Sequence, residues 1–150
     1  HQKIYIKSLG YYFQQEAKNQ AKLSEIMKEM IQLGEAVSIK EFNSALQQQI
    51  EIAKEIDRAF SQYDVVVSLS TAHSAPLRHA KEFDDPSLMW TLSHLPSLNI
   101  PAFRCPSGLP FGIQVTSKKY NDYRIIDFVE RLTKKDLISP HSLEIIGGEF

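Results

Sequence analysis

The sequence predicts an α/β fold, a mixed β-sheet covered by helices. Two successive stretches, about 23–33 and 39–61, carry apolar residues at helical spacing. A β-branched run, "YDVVVSLS" at 63–70, follows them. Two extended pieces, about 101–105 and 111–116, then precede one more helical stretch. Apolar residues every three to four positions mark a helix with one buried face, whereas a short β-branched run marks a strand. The order helix, strand, excursion, strand, strand, helix belongs to a layered α/β domain.

From Leu23 the apolar residues fall at 23, 26, 27, 30, 31 and 33, and Gly34 follows. Glycine adopts a left-handed cap without cost, so the helix is expected to end there. Ser38 opens "SIKE", in which the serine can accept from the Glu41 amide while the glutamate reaches back. Behind it Ile39, Phe42, Leu46, Ile50, Ala53, Ile56 and Phe60 form one stripe, a long amphipathic helix. The short glycine-containing connection predicts that these two helices form an antiparallel pair.

The run at 63–70 reads as a strand buried on both faces. Pro76, Pro86 and Pro96 interrupt residues 70–99, an irregular excursion with one short helix around Ser87 to Ser93. "PSGLP" joins the two extended pieces, and Ile125, Ile126, Val129 and Leu132 share one face of the last helix, which starts near Asn121. There is no internal repeat or clear linker. The chain is read as a single domain or a fragment of a larger one, helical over 1–61 with sheet, loop and helix over 62–150.

At 150 residues the chain can bury one sizeable core. Its 43% hydrophobic and 23% charged residues are the composition of a soluble globular protein. Seventeen basic and eighteen acidic residues are interspersed, which speaks against a nucleic-acid surface. No apolar run is long enough for a membrane span. One cysteine, Cys105, excludes an intrachain disulfide framework and points to a reducing, cytoplasmic setting. The first residue is His1, so the chain is expected to begin mid-protein.

Ser70, His73, Ser74, His79, Asp84 and Asp85 crowd one loop. A hydrolytic triad needs a preorganised oxyanion hole, and no "GxSxG" elbow supplies one. His73, His79 and Asp84 lack the spacing of a metal site, and no metal or other cofactor is expected. Cys105 lies between Phe103 and Pro106, a setting that suits a small buried hydrophobe. Trp90 reads as a packing residue on its size alone.

Four motifs in order resemble the C-terminal part of the amidase signature family. "YDVVVSLSTAHSAPL" resembles that family's strand and proline-closed loop, with Asp64 at the strand start and Ala75 and Pro76 at the loop end. Pro101, Ala102, Pro106 and Gly108 match its "GxPAxSxPxG"; Leu109, Pro110, Gly112 and Gln114 match its "LPxGxQ". Asp122 and Glu130 match the helix that follows. Asn99 departs from the pattern, which has glycine there; so do Arg104 and the Ser70-Thr71-Ala72-His73 loop.

The resemblance implies hydrolysis of a small-molecule carboxamide by a lysine and two serines in a glycine- and serine-rich segment upstream. This sequence has no Ser-Ser dipeptide, so it carries over no catalytic residue. Thr71, Trp90 and Thr91 are the residues expected to contact substrate. The expected partners are the missing N-terminal half or another copy of the chain. A non-catalytic amidase-like interaction domain is the alternative. An unrelated α/β domain would instead have a self-contained sheet with protected edges.

Overall fold

The structure is a computed structural model and describes residues 1–78, 80 and 85–138. The chain separates into two compact units, His1–Lys54 and Glu55–Phe150. No described helix is long and apolar enough to cross a membrane.

The first unit is helical. Helices α1 (Gln2–Tyr12) and α2 (Glu25–Ala36) are joined through two short 3-10 turns, and α3 (Ile39–Ala59) begins in this unit. The Ser24 hydroxyl starts α2 by accepting from the Met27 amide at 3.3 Å. Gly34 does not end this helix. It lies inside α2, buried, and a Cβ there would collide with the Ile6 carbonyl of α1. The glycine therefore serves a close helix–helix approach, and α2 runs on to Ala36.

The predicted antiparallel pairing of α2 with α3 is corrected by the same observation. The intimate partner of α2 is α1, whose Leu9 is buried as is Ile31 of α2. The sequence predicts a helical 1–61 but sets bounds only from Leu23 on, because Ile4, Ile6 and Leu9 give α1 a short apolar stripe beside exposed Tyr5, Tyr11 and Tyr12. The start of α3 follows the predicted capping box. Glu41 N donates to Ser38 Oγ at 3.2 Å, and Ser38 N donates to Glu41 Oε2 at 3.1 Å. Lys3 Nζ donates to Glu41 Oε1 at 3.0 Å, tying α1 to this cap.

The second unit holds a three-stranded sheet in the order β1 (Val66–Leu69), β3 (Pro110–Thr116), β2 (Ser97–Arg104). Both pairings are antiparallel. Helix α4 (Leu88–Leu92) lies between β1 and β2 in sequence, and α5 (Asp122–Lys134) follows β3. The β1 run is not buried on both faces as expected. Val67 and Leu69 are each 49% exposed, because β1 is an edge strand with β3 on one side only among the described residues.

Strand parity sorts the sheet into two faces. Ile113 and Val115 of β3 and Ile100 of β2 point toward α5, where Ile125, Phe128 and Val129 complete a core around the fully buried Val115. The opposite face carries Ser68, Gln114 and Asn99 in one row and Val66, Thr116 and Ser97 in the next. Ser97 and Thr116 hydroxyls bond at 2.9 Å. Ser117 Oγ donates to the Asp64 carbonyl at 2.7 Å and accepts from Asn121 Nδ2 at 3.3 Å, closing the strand-to-helix connection.

The glycine pair in α1 and α2 separates two effects. Gly34→Ala is expected to destabilise the helical unit by about 1–3 kcal/mol, the usual cost of forcing atoms into a packed contact. Gly10→Ala meets its nearest atom, the Ile31 carbonyl, at 3.7 Å and is expected to be neutral or to gain up to about 1 kcal/mol of helix propensity. Urea unfolding of both variants measures the contrast.

The hydrogen bond from Lys3, followed by those from Ser38, lowers the Glu41 carboxyl from the ordinary 4.5 to about 2. Because the folded value is the lower one, the stabilisation is present above about 4.5 and is lost as pH falls toward 2. A carbon-detected NMR titration of Glu41 should give this low midpoint, and Lys3→Ala should raise it.

Candidate functional site

The polar face of the sheet ends at Gly112. Pro101 of β2 stands opposite Gly112, and Ser70 N donates to the Gly112 carbonyl at 3.2 Å, extending the pairing of β1 by one residue. A Cβ on Gly112 would lie 2.7 Å from Asn99 Oδ1, 2.8 Å from the Ile100 carbonyl and 2.9 Å from Ser70 Oγ. Glycine is required here by space, since its φ is not in the left-handed region. Its bare Cα brings an amide oxygen and a hydroxyl together at the surface of the sheet.

A cavity of about 830 Å³ opens at this point. The loop over 70–77 forms one wall, and Asn99, Pro101, Phe111 and Gly112 of the hairpin form the other. This volume is within the range of about 300–1,000 Å³ typical of small-molecule sites. Asp85 is the only carboxylate among the described lining residues, and its Oδ1 accepts from Ser87 N at 2.9 Å. The remaining described lining is apolar or uncharged polar apart from His73.

Thr71 lines the cavity and its hydroxyl donates to the His73 carbonyl at 2.7 Å, which shapes the loop. Trp90 and Thr91 do not line it. Trp90 is buried in α4 with its ring edge-on to Phe60, centroids 6.4 Å apart. Thr91 is exposed beside it and donates to the Ser87 carbonyl at 3.2 Å. The structure thus keeps these two together and places Thr71 elsewhere. Sequence reasoning missed Asn99 as a cavity residue; its departure from glycine in the resemblance was the available signal.

Ser70, His73, Ser74 and Asp85 all line the cavity, whereas His79 and Asp84 lie outside the described residues. No group of three His, Cys, Asp or Glu is placed to share a metal ion among the described residues.

Across the hairpin, Cys105 N donates to the Leu109 carbonyl at 2.9 Å and Gly108 N to the Cys105 carbonyl at 2.8 Å. Gly108 has φ +84°, the left-handed conformation that lets the turn close. Half-buried Cys105 has its Sγ 2.9 Å from Ser107 Oγ. That hydrogen bond, above all, lowers the thiol pKa from its ordinary value, partly offset by desolvation. Cys105 is not among the residues lining the cavity.

Residues 8–126 match the model of the family described as Amidase. One subunit of the glutamyl-tRNA(Gln) amidotransferase of Treponema denticola is 30% identical over 114 residues, which are 67% of this chain and 23% of that protein. A solved amidase structure superposes with a TM-score of 0.75 at 18% identity, covering 87% of this chain and 32% of the other. A bacterial aryl acylamidase of the amidase signature enzymes gives 0.65 at 15% identity, covering 83% and 30%. The chain spans about a quarter of the length of the curated relatives it matches. At these identities the superpositions establish the α/β fold.

The close quarters at Gly112 are open to direct measurement. Gly112→Ala is expected to lower stability by about 1–3 kcal/mol, because the Ile100 carbonyl is backbone in a paired strand and cannot swing aside. Ser70→Ala removes only one of the three neighbours, so the double variant should recover little of the loss. Thermal unfolding of the single and double variants measures both.

Proposed function

We propose, for a chain that belongs to the amidase signature family, that these residues build one wall of a carboxamide-hydrolysing site whose bond-breaking groups lie outside them. The single observation that carries this reading is a ligand-sized cavity that is lined mostly by uncharged groups and stands at the end of a sheet whose edges are bare among the described residues. Hydrolysis of a carboxamide requires an activated nucleophile and donors aimed at the developing oxyanion. The resemblance assigns those parts to a lysine and paired serines, and the 150 residues contain no adjacent serines.

In this reading the loop over 70–77 and the hairpin hold the substrate and exclude water, and so contribute orientation rather than proton transfer. Half-exposed Val67 and Leu69 on β1, and Phe103 at 53% exposure on β2, suit a sheet that continues into further chain. That further chain is proposed to be the rest of the amidase fold, with a second copy as the other occupant. Thr71 is kept as a cavity-wall residue. Trp90 and Thr91 would then act on the site only through the position of α4.

Incubated alone with simple carboxamides, residues 1–150 are expected to release ammonia no faster than buffer. Adding the upstream catalytic segment, in one chain or in trans, should bring turnover into the ordinary enzyme range of about 1–10³ s⁻¹. Ammonia release at such a rate by the isolated chain would contradict the proposal. A complete protein that binds amides but never hydrolyses them would favour the non-catalytic interaction domain.

A further inference from the structure

We infer that Asn99 and Ser70, meeting over Gly112, form a recognition point for a second neutral polar group on the substrate. The preferred substrate class is then a carboxamide that carries another uncharged donor–acceptor group, such as a second amide or a urea. This deepens, and rests on, the reading of the cavity as part of a carboxamide site.

Asn99 Oδ1 and Ser70 Oγ both crowd the position that a Gly112 side chain would fill. Neither side chain has a hydrogen-bond partner among the described residues, and both line the cavity. Asparagine is disfavoured in strands, and β2 carries it where the resembling pattern has glycine. The sheet therefore keeps an exposed amide at the cavity that its own hydrogen bonding does not use.

In the same row as Asn99, Gln114 stands directly opposite it, and its Oε1 is buried with no hydrogen-bond partner among the described residues. A buried carbonyl left unsatisfied is costly and unusual in a settled core. Its presence beside Asn99 marks this end of the sheet as arranged for something other than packing.

The chemistry of the point selects the ligand. Asn99 offers an acceptor and two donors, Ser70 offers one donor and accepts, and neither is charged. A carboxamide or urea has the complementary set. Among the described lining residues a carboxylate would meet no Lys or Arg, and it would share the cavity with Asp85. An alkyl group would leave both polar groups unpaired when water is displaced, which forfeits affinity. Ala72, Pro76, Leu77 and Phe111 supply apolar walls that strengthen the hydrogen bonds by excluding water.

Three ligands of nearly equal size test the inference in the full-length protein: succinamide, its alkyl isostere 4-methylpentanamide, and succinamate. Dissociation constants are read by ligand-observed NMR, and ammonia release is followed separately. Two added hydrogen bonds predict roughly tenfold tighter binding of succinamide than of either competitor. The preference should shrink toward unity in Asn99→Ala and fall severalfold in Ser70→Ala. Asn99→Asp, which keeps the size but exchanges the two donors for a negative charge, should widen the margin over succinamate by repelling its carboxylate, and thermal melts confirm that each variant is folded. A preference that survives Asn99→Ala overturns the inference, and so does no preference or no binding in the unsubstituted protein. If the preference behaves as predicted while no amide is hydrolysed, recognition stands and the hydrolytic reading falls.

Discussion

Two neighbours flank the central strand, and a period of two runs along it; the second unit depends on that constraint. β3 pairs with β1 on one side and β2 on the other, so its residues 113–116 have their direction fixed from both edges. Ile113 and Val115 are committed to α5, and Gly112, Gln114 and Thr116 to the other face. A slip of one residue would send the apolar set to the polar side, which burial of Val115 forbids. The cavity inherits its neutral polar floor from this sorting, and its position from the point where the polar row runs out into a loop.

Two glycines show how closely backbones approach in each unit. At Gly34 the neighbour is the Ile6 carbonyl of another helix, and at Gly112 it is the Ile100 carbonyl of a paired strand. In both places a carbonyl oxygen occupies the space of the missing side chain. The consequence differs with the surroundings. Between helices the approach only tightens packing, whereas at the end of the sheet it also leaves an amide and a hydroxyl converging on open space.

Legibility in the sequence follows how locally each feature is determined. The capping box at Ser38 and Glu41 is a four-residue pattern with its own hydrogen bonds, and its geometry matches the expectation closely. The hairpin around "PSGLP" is equally local, since Gly108 has the turn conformation and the strands on either side pair directly. Gly34 misleads because a glycine after an apolar stripe has two physical uses, capping and close approach, and only the presence of α1 decides between them. The β1 run misleads because Val-Val-Val records strand propensity, while burial depends on what lies beyond the edge. Of the site, Thr71 is expected from the resemblance and stands in the cavity wall, but Asn99 and Ser70 become a pair only through the cross-strand register. No local pattern encodes that.

The place where a bound diamide sits is the most direct test of a polar ligand face backed by an apolar core face. Backbone amide shifts of isotopically labelled protein titrated with succinamide should move at Ser70, Asn99 and Gly112, with little change at Ile125 or Val129 on the opposite side of the sheet. Perturbations centred on α5, or spread evenly over both faces, would contradict the assignment of the polar face to ligand and the apolar face to core.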